Sequence, residues 1–267
     1  MSDNLKSWNW ELWSPYWSFL EDNQLDLESI GKIASMIDDP ALVIGAGQGL
    51  LVEDLRKRGH KVDGIDAEPE MVAYAKKRRN VDLILANGKK MPVDDNTYKT
   101  SIIATGVIDF MDDEEQIRSI LNEVKRVTED SGKIFIGFFQ WNVRGASIMR
   151  YLGLITDENR WRARKFNEVF RLKPTAFLKV AAKEANVSFV STLFKFISYH
   201  MHLSRRDKEA TKRWTEMWKK IDNPEELIAT IPDSLPYRNE ESIRILFKNL
   251  DIPIKEIFPL TCLTVQI

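Results

Sequence analysis

The sequence is short of cysteine and of long apolar runs. It holds one cysteine, Cys262, and no run near the roughly 18 apolar residues of a membrane-spanning helix. One cysteine excludes a disulfide framework and a zinc site built from several cysteines. The first ten residues, MSDNLKSWNW, lack the cationic start and apolar core of a signal peptide, so we expect a cytoplasmic protein. No low-complexity tract interrupts the 267 residues, and 43% of them are hydrophobic, which excludes a disordered chain.

Short apolar runs alternate with amphipathic segments in the first half of the chain. The runs predict strands at 41–45, 61–65, 82–86, 101–105 and 133–139. The amphipathic segments predict helices at 48–58, 69–79 and 113–128. Strands that are apolar on both faces belong to a parallel sheet covered by helices, so the sequence predicts an α/β fold.

The end of the chain adds one more helix, at 239–250, and two strands, at 254–258 and 261–267. A two-residue link is too short for a parallel crossover, so this last pair of strands should be antiparallel. Between 141 and 238 the alternation stops, and helical patterns at 174–184 and 205–220 flank an apolar stretch of ambiguous type at 187–196. We therefore predict four segments. Aromatic lid helices occupy 1–40, an α/β core 41–140, a mostly helical basic cap insertion 141–238, and a closing helix and strand pair 239–267.

A glycine-rich loop, Gly45-Ala-Gly-Gln-Gly49, follows the first strand and opens the first core helix. Glycines there let the backbone approach a ligand, and the helix N-terminus offers free N–H donors. Asp66 ends the next strand, where a carboxylate can accept both hydroxyls of a ribose. The dinucleotide pattern G-x-G-x-x-G needs a glycine where this chain has Leu50, which argues against NAD or FAD.

Five motifs in order resemble those of class I S-adenosylmethionine-dependent methyltransferases, and most closely the small-molecule group called type 11 or UbiE-like. The motifs are VIGAGQG, VDGIDAEPEMVAYAKKR, LANGKKMPVDDNTY, SIIATGVIDFMDD and the helix that ends at Thr128. The resemblance implies a Rossmann-like, doubly wound, seven-stranded mixed sheet whose last strand is antiparallel. It also implies S-adenosylmethionine as cofactor and S-adenosylhomocysteine as product.

The resemblance further implies which residues hold the cofactor. Its methionine part would lie on the glycine loop, formed by Gly45, Ala46, Gly47, Gln48 and Gly49. Asp66 would bind the ribose, and Ala67 and Met71 would pack on the adenine, whose edge Asn87 and Gly88 would read. The family more often has aspartate at position 87, but the asparagine carbonyl can still accept from the adenine amino group. Thr105, Gly106 and Val107 would line the floor beside the sulfonium.

Methyl transfer needs a base only if the acceptor loses a proton in the step. Asp109 is the candidate by motif position, where the family often has histidine; alternatively, it caps or orients the segment that follows. The Asn/Asp-Pro-Pro-Tyr/Phe signature of amino-methylating DNA enzymes is missing. We predict no metal site, because no His, Cys and carboxylate cluster has metal-ligand spacing.

Six aromatic residues lie within twelve positions near the N-terminus: Trp8, Trp10, Trp13, Tyr16, Trp17 and Phe19. One interpretation is a substrate lid made by Trp13, Tyr16 and Trp17, with His200 of the insertion, able to hold a planar, apolar or cationic acceptor. The other is a helix docked on the core by aromatic burial. The sequence leaves both open.

Charge is divided unevenly along a chain of net charge −1. Residues 144–220 carry 18 Lys+Arg against 7 Asp+Glu, and the rest carries 21 against 33. An anionic or lipid-like acceptor or an anionic membrane surface, an RNA substrate, and an ordinary charged surface are the three explanations. We rank RNA last of the three, because no RNA-binding motif accompanies the charge. Taken together with this charge, the resemblance implies methylation of a small apolar or anionic acceptor, with RNA methylation or non-catalytic cofactor binding as alternatives.

Overall fold

The computed structural model describes residues 9, 11–17, 27–109, 111–139, 143–170, 174–202, 205–259 and 263–267. Cys262, Trp8, Trp10 and Phe19 lie outside the described residues. The chain forms two compact units. The α/β unit is Glu21–Gln140 with Arg238–Ile267, and the helical unit is Met1–Leu20 with Trp141–Tyr237. Within the part of the chain that is described, no helix is long and apolar enough to cross a bilayer.

The described helices and strands are numbered along the chain. The helices are α1 (11–17), α2 (Leu27–Met36), α3 (Leu50–Lys57), α4 (Pro69–Arg79), α5 (Glu114–Val127), α6 (Val143–Tyr151), α7 (Ala163–Phe170), α8 (Pro174–Glu184), α9 (Phe189–Met201), α10 (Arg205–Lys219), α11 (Pro224–Ala229) and α12 (Glu240–Asn249). The strands are β1 (Ala41–Ile44), β2 (Val62–Asp66), β3 (Ile84–Leu85), β4 (Tyr98–Ile103), β5 (Thr128–Phe138), β6 (Arg160–Trp161), β7 (Leu235–Pro236), β8 (Glu256–Pro259) and β9 (Leu263–Gln266).

The α/β unit contains a seven-stranded sheet in the order β3-β2-β1-β4-β5-β9-β8. Strand β1 lies between β2 and β4 and runs parallel to both, with Ala41 opposite Val62 on one side and Thr100 on the other. Strand β9 is antiparallel to β5 and to β8. The predicted seven-stranded mixed sheet with an antiparallel last strand is therefore confirmed.

Helices cover both faces of this sheet, as the all-apolar strands require. Successive side chains of a strand point to opposite faces. Leu42 and Ile44 accordingly pack with the apolar positions of α5 and α12, while Ala41 and Val43 pack with those of α2 and α3. All four of these β1 side chains are at most 2% exposed, which gives the sheet two hydrophobic cores.

Helix α2 belongs to the α/β unit rather than to the N-terminal aromatic segment with which the sequence analysis grouped it. Ile30, Ile33 and Ile37 of this region are buried in the same cluster as Val43 and Leu55. Their spacing of three and four residues forms one apolar helix face, which the sheet covers. Helix α2 and Ile37 thus contribute to the core of the α/β unit.

The helical unit holds α1, the six helices from α6 to α11, and a two-stranded antiparallel ribbon in which Arg160 pairs with Pro236. The ambiguous stretch at 187–196 is helical: α9 begins after Ser188, whose hydroxyl accepts the N–H of Ser191 as an N-cap. The short ribbon was not predicted, because two strands of two residues each carry no periodic signal.

Candidate cofactor site

The sequence-predicted cofactor residues follow the carboxyl ends of β1, β2, β3 and β4. Parallel strands bring these ends to one edge of the sheet, and the chain reverses its direction of winding at β1 and β4. Such a reversal leaves a crevice outside the strand ends, where open α/β sheets bind their ligands. The fold therefore collects at one edge residues that lie up to 60 positions apart, from Gly45 to Thr105.

The glycine loop after β1 has a backbone that only glycine adopts readily. Gly45, Gly47 and Gly49 have φ angles of 70°, 56° and 80°. A Cβ atom on Gly45 would also lie 2.2 Å from Cγ2 of Val107, in the loop after β4. The two loops thus approach each other within van der Waals contact, and the absence of a side chain at Gly45 is a condition of that approach.

Asp66 connects the glycine loop to the end of β2. Its Oδ2 accepts the N–H of Gly47 at 2.7 Å, and its Oδ1 accepts the N–H of Glu68 at 3.0 Å. Burial raises the pKa of the Asp66 carboxyl, while the N–H groups of Glu68 and Gly47 oppose that rise. A carboxylate can accept about four hydrogen bonds, and the N–H groups of Gly47, Glu68 and Ala67 use at most three of them. The remaining capacity fits a hydroxyl of a ribose.

Gln48 is fully buried, and its side chain secures the loop rather than pointing at solvent. The guanidinium of Arg78, in α4, donates to Gln48 Oε1 at 2.5 Å. This bond links the glycine loop to the helix that follows Asp66. Arg78 is one of four basic residues in a row, 76–79, so the sequence alone gives no sign of which one makes the contact.

The residues assigned to the adenine differ in exposure. Ala67 is exposed and Met71 is 2% exposed. Asn87 is exposed, and its Oδ1 accepts the N–H of Lys89 at 2.9 Å, which orients the amide. A Cβ atom on Gly88 would lie 3.3 Å from Cγ2 of Ile44, so a larger residue would press on β1.

Asp109 is 2% exposed, and both of its carboxylate oxygens are engaged by backbone. Oδ1 accepts the N–H of Gly106 at 2.7 Å, and Oδ2 accepts the N–H of Phe139 at 3.0 Å. Burial raises the pKa of this carboxyl to about 6, against the effect of those two N–H groups. The carboxylate therefore joins the loop after β4, which carries Thr105 and Gly106, to the end of β5.

Arg238 completes this arrangement, and the sequence analysis missed it. Its guanidinium donates to the backbone oxygen of Asp109 at 3.2 Å and to that of Met111. Phe139 and Arg238 stand next to the two points where the chain leaves and rejoins the α/β unit. No local pattern could have linked Arg238 to Asp109, because 129 positions separate them.

Among the predicted lid residues, Trp13 is fully buried within the helical unit. Its indole N–H donates to Thr230 Oγ1 at 3.1 Å, and its ring meets that of Trp218 edge to face, with centroids 6.1 Å apart. Tyr16 and Trp17 are half-buried. His200 packs edge to face on Phe196 at 4.4 Å, and the pKa of His200 is lowered by burial and by Lys208. That these four residues contact an acceptor stays a prediction.

The sheet order and the glycine loop with its Asp66 partner are those of a class I S-adenosylmethionine-dependent methyltransferase domain. Comparison with known proteins agrees: residues 41–132 match the family model described as a methyltransferase domain. This part of the chain therefore belongs to that family, whose cofactor is S-adenosylmethionine. Among the described residues, no group of three or more His, Cys, Asp or Glu side chains is placed to hold a metal ion.

Curated relatives and solved structures extend this comparison. The demethylmenaquinone methyltransferase of Corynebacterium urealyticum is 28% identical over 131 residues, which are 49% of this chain and 55% of that protein. The chain spans about half the length of the curated relatives it matches. A SAM-dependent methyltransferase structure from Methanosarcina mazei has a TM-score of 0.52 at 16% identity, over 91% of this chain and 98% of that one.

A structure from Rhodobacter sphaeroides, named among the zinc-dependent alcohol dehydrogenases, has a TM-score of 0.55 at 14% identity. It covers 100% of this chain and 98% of that one. Likeness at such identities shows the fold alone, because one fold hosts many activities. The methyltransferase assignment therefore depends on the family match and the site, not on these structures.

Proposed function

We propose that this chain is an enzyme that transfers a methyl group from S-adenosylmethionine to a small apolar or anionic acceptor. The observation that carries the proposal is the contact of Asp66 Oδ2 with the Gly47 N–H at 2.7 Å. It places a carboxylate with spare acceptor capacity beside a loop of three left-handed glycines at the sheet's binding edge. These are the groups that a ribose and a close-lying amino-acid moiety need.

When bound, the cofactor would supply a methyl carbon on a sulfonium, which an in-line nucleophile can take while the thioether S-adenosylhomocysteine leaves. The chain's own residues then have to position the two reactants and exclude water. In this proposal Asp66 orients the ribose, the glycine loop holds the methionine part, and Val107, against Gly45, closes the floor beside the sulfonium. Position 107 therefore affects catalysis through packing, without any proton transfer.

Asp109 has two candidate roles, and its contacts favour that of a positioning residue. Each carboxylate oxygen already accepts a backbone N–H, and the side chain is 2% exposed. If Asp109 only positions the loop, Asp109→Asn should lower turnover by the same factor for acceptors of different acidity. A base role instead makes turnover rise with pH through the pKa of Asp109 in the wild type and removes that rise in Asp109→Asn.

The acceptor class has two sources of support. The curated relatives are named for demethylmenaquinone, a quinone, and residues 144–220 combine a strong basic excess with many aromatic residues. Both suit an apolar or anionic small molecule. We also propose that a lid over the acceptor is formed by Trp13, Tyr16, Trp17 and His200. Tyr16→Ala tests this, because a lid residue should alter the affinity for the acceptor and leave the affinity for the cofactor unchanged.

Calorimetry with S-adenosylhomocysteine tests the cofactor site. Asp66→Ala should weaken binding by about 1.5–3 kcal/mol, the usual value of a hydrogen bond to a charged group. Asp82→Ala is the matched control, because Asp82 is an exposed carboxylate of the same unit, paired with Lys76. Equal affinity in the wild type and Asp66→Ala would count against the assignment.

Turnover separates the enzyme from a non-catalytic cofactor-binding protein. Incubation with S-adenosylmethionine and fractionated small-molecule extract should yield S-adenosylhomocysteine in the wild type and far less in Asp66→Ala. Product formed only with an RNA fraction would support the RNA alternative. Tight cofactor binding without product on any fraction would support a regulatory binding protein.

A further inference from the structure

Helix α9 carries a stripe of large apolar side chains that face solvent. Its members, called here the α9 stripe, are Val190, Phe194, Ile197 and Met201, which are 58%, 68%, 44% and 67% exposed. Their spacing of four, three and four residues places them on one side of the helix, over about 16 Å of its length. Most of the large apolar residues that are exposed in the described structure belong to this one stripe.

The stripe is not the side by which α9 packs in its own unit. Thr192 is 2% exposed, and Phe196, Tyr199 and His200 are half-buried in mutual ring contacts. The helix therefore has a packed side and a separate exposed apolar side. Single exposed apolar residues such as Ile245 are common on protein surfaces. A contiguous exposed apolar stripe instead indicates a surface that binds a membrane or another molecule.

Helix α9 and the segment around it carry a net positive charge. Helix α9 contains no Asp or Glu, and its exposed Lys195 has Nζ 4.7 Å from the centre of the Tyr151 ring. Lys208, also exposed, lies close enough to His200 to help burial lower the pKa of that histidine, so it is near the C-terminal end of the stripe. Over 174–220 as a whole there are ten Lys+Arg against four Asp+Glu.

We propose that the α9 stripe docks this protein on the surface of a membrane that contains anionic phospholipids. Apolar side chains enter the headgroup and acyl boundary, while a cation near them, such as Lys208, binds the lipid phosphates. A second copy of the chain fits less well. A two-fold interface would pair this patch with itself and bring the two basic surfaces together. The inference does not depend on methyl transfer.

Vesicle sedimentation of the full chain tests the proposal. The wild type should sediment with vesicles of phosphatidylcholine and phosphatidylglycerol, much less with phosphatidylcholine alone, and less again at high salt. Phe194→Glu should lower the partition coefficient on the mixed vesicles by about tenfold or more, because it removes a large apolar group and adds a repelled charge. Val190→Glu should act in the same direction.

Ile245→Glu is the matched control, since Ile245 is 53% exposed on a helix of the other unit. It should sediment like the wild type, and circular dichroism should show all three variants folded, because every altered side chain is exposed. Equal sedimentation of Phe194→Glu and the wild type, or no sedimentation of the wild type, would overturn the proposal. So would a wild type that is dimeric by light scattering and becomes monomeric in Phe194→Glu without binding vesicles.

Discussion

Gly45 combines two constraints at one residue, a left-handed backbone and a lack of space. Its φ angle is 70°, and a Cβ atom there would meet Cγ2 of Val107 at 2.2 Å. We expect Gly45→Ala to destabilise the fold by about 2–4 kcal/mol, the sum of backbone strain and overpacking, and to weaken cofactor binding. Thermal unfolding and calorimetry with S-adenosylhomocysteine measure the two effects.

Gly59→Ala separates the two constraints. Gly59 also has a left-handed φ, of 96°, but a Cβ atom there meets nothing within 4 Å. It should therefore cost only the backbone term of about 1–2 kcal/mol and leave cofactor affinity unchanged. Adding Val107→Ala to Gly45→Ala should restore part of the lost stability. If Gly45→Ala and Gly59→Ala lower stability equally and leave the cofactor affinity equally unchanged, contact between the two loops does not limit the residue at position 45.

Asp109 gives the stability of the protein a pH dependence of defined sign. Burial raises the pKa of Asp109 in the folded chain to about 6, from an ordinary value of 3.8. A raised carboxyl pKa means that the folded state binds the proton more tightly than the unfolded state. The stabilising contribution of this group is therefore complete below about pH 4 and is lost as the pH rises through about 6.

Asp109→Asn removes this titration. Relative to the variant, the wild type should lose about 3 kcal/mol of stability between pH 3 and pH 7, because the pKa differs by about two units between the folded and unfolded chain and each unit is worth about 1.4 kcal/mol. Melting temperatures of the two proteins at a series of pH values test this. Asp82→Asn controls for the loss of a surface charge. A difference between wild type and Asp109→Asn that stays constant across this range would contradict the prediction.

Among the elements, α5 shows why some boundaries could be predicted. Its apolar residues repeat at helical spacing, and all five are buried: Ile117, Ile120, Leu121, Val124 and Val127. Asp113 caps its first turn by accepting the N–H groups of Glu115 and Gln116. Periodicity and cap agree, so the predicted 113–128 differs from the observed helix by one residue at each end.

The bounds of strand β4 could not be predicted correctly from the sequence. The sequence analysis placed it at 101–105, whereas it runs over Tyr98–Ile103. The three added residues are Tyr98 and Thr100, which are buried, and Lys99 between them, which is exposed. They form a strand because they pair with β5, where Tyr98 lies opposite Thr128. Short-range patterns carry no information on such a partner, because β pairing is set by tertiary contacts.

Trp13 anchors helix α1 in the helical unit. The side chain is fully buried, with Trp218 at its edge and Thr230 accepting its N–H. Trp13→Ala should destabilise the helical unit by about 3–5 kcal/mol, the usual cost of removing a buried large aromatic group. Trp13→Phe should destabilise the unit less, because an aromatic ring still fills most of the space. It loses the hydrogen bond to Thr230.

Tyr16→Ala is the control for Trp13, since Tyr16 lies on the same helix and is half-buried. It should change the melting temperature far less. Differential scanning calorimetry of the three variants checks the order. If Trp13→Ala unfolds at the temperature of the wild type, Trp13 does not anchor α1.

At the scale of the whole molecule, the helical unit interrupts the α/β unit between residues 140 and 238 and takes its first twenty residues from the N-terminus. The uneven distribution of charge follows this division only in part, because residues 144–220 hold the basic excess and both flanking regions are acidic overall. The neutral total is thus a sum of opposed regions. The α9 stripe lies in the basic one, which is why the charge and the exposed apolar surface act together.

The sequence by itself determined the class of fold, the mixed sheet, and the positions of the glycine loop after β1 and of Asp66 at the end of β2. Each depends on local chemistry: apolar periodicity, glycine's access to positive φ, and a carboxylate at a strand end. Only the tertiary structure decided that α2 belongs to the sheet, that Asp109 joins Gly106 to Phe139, that Arg238 meets it from 129 positions away, and that one face of α9 stays exposed. Those features depend on which surfaces meet after folding, and no spacing along the chain encodes that.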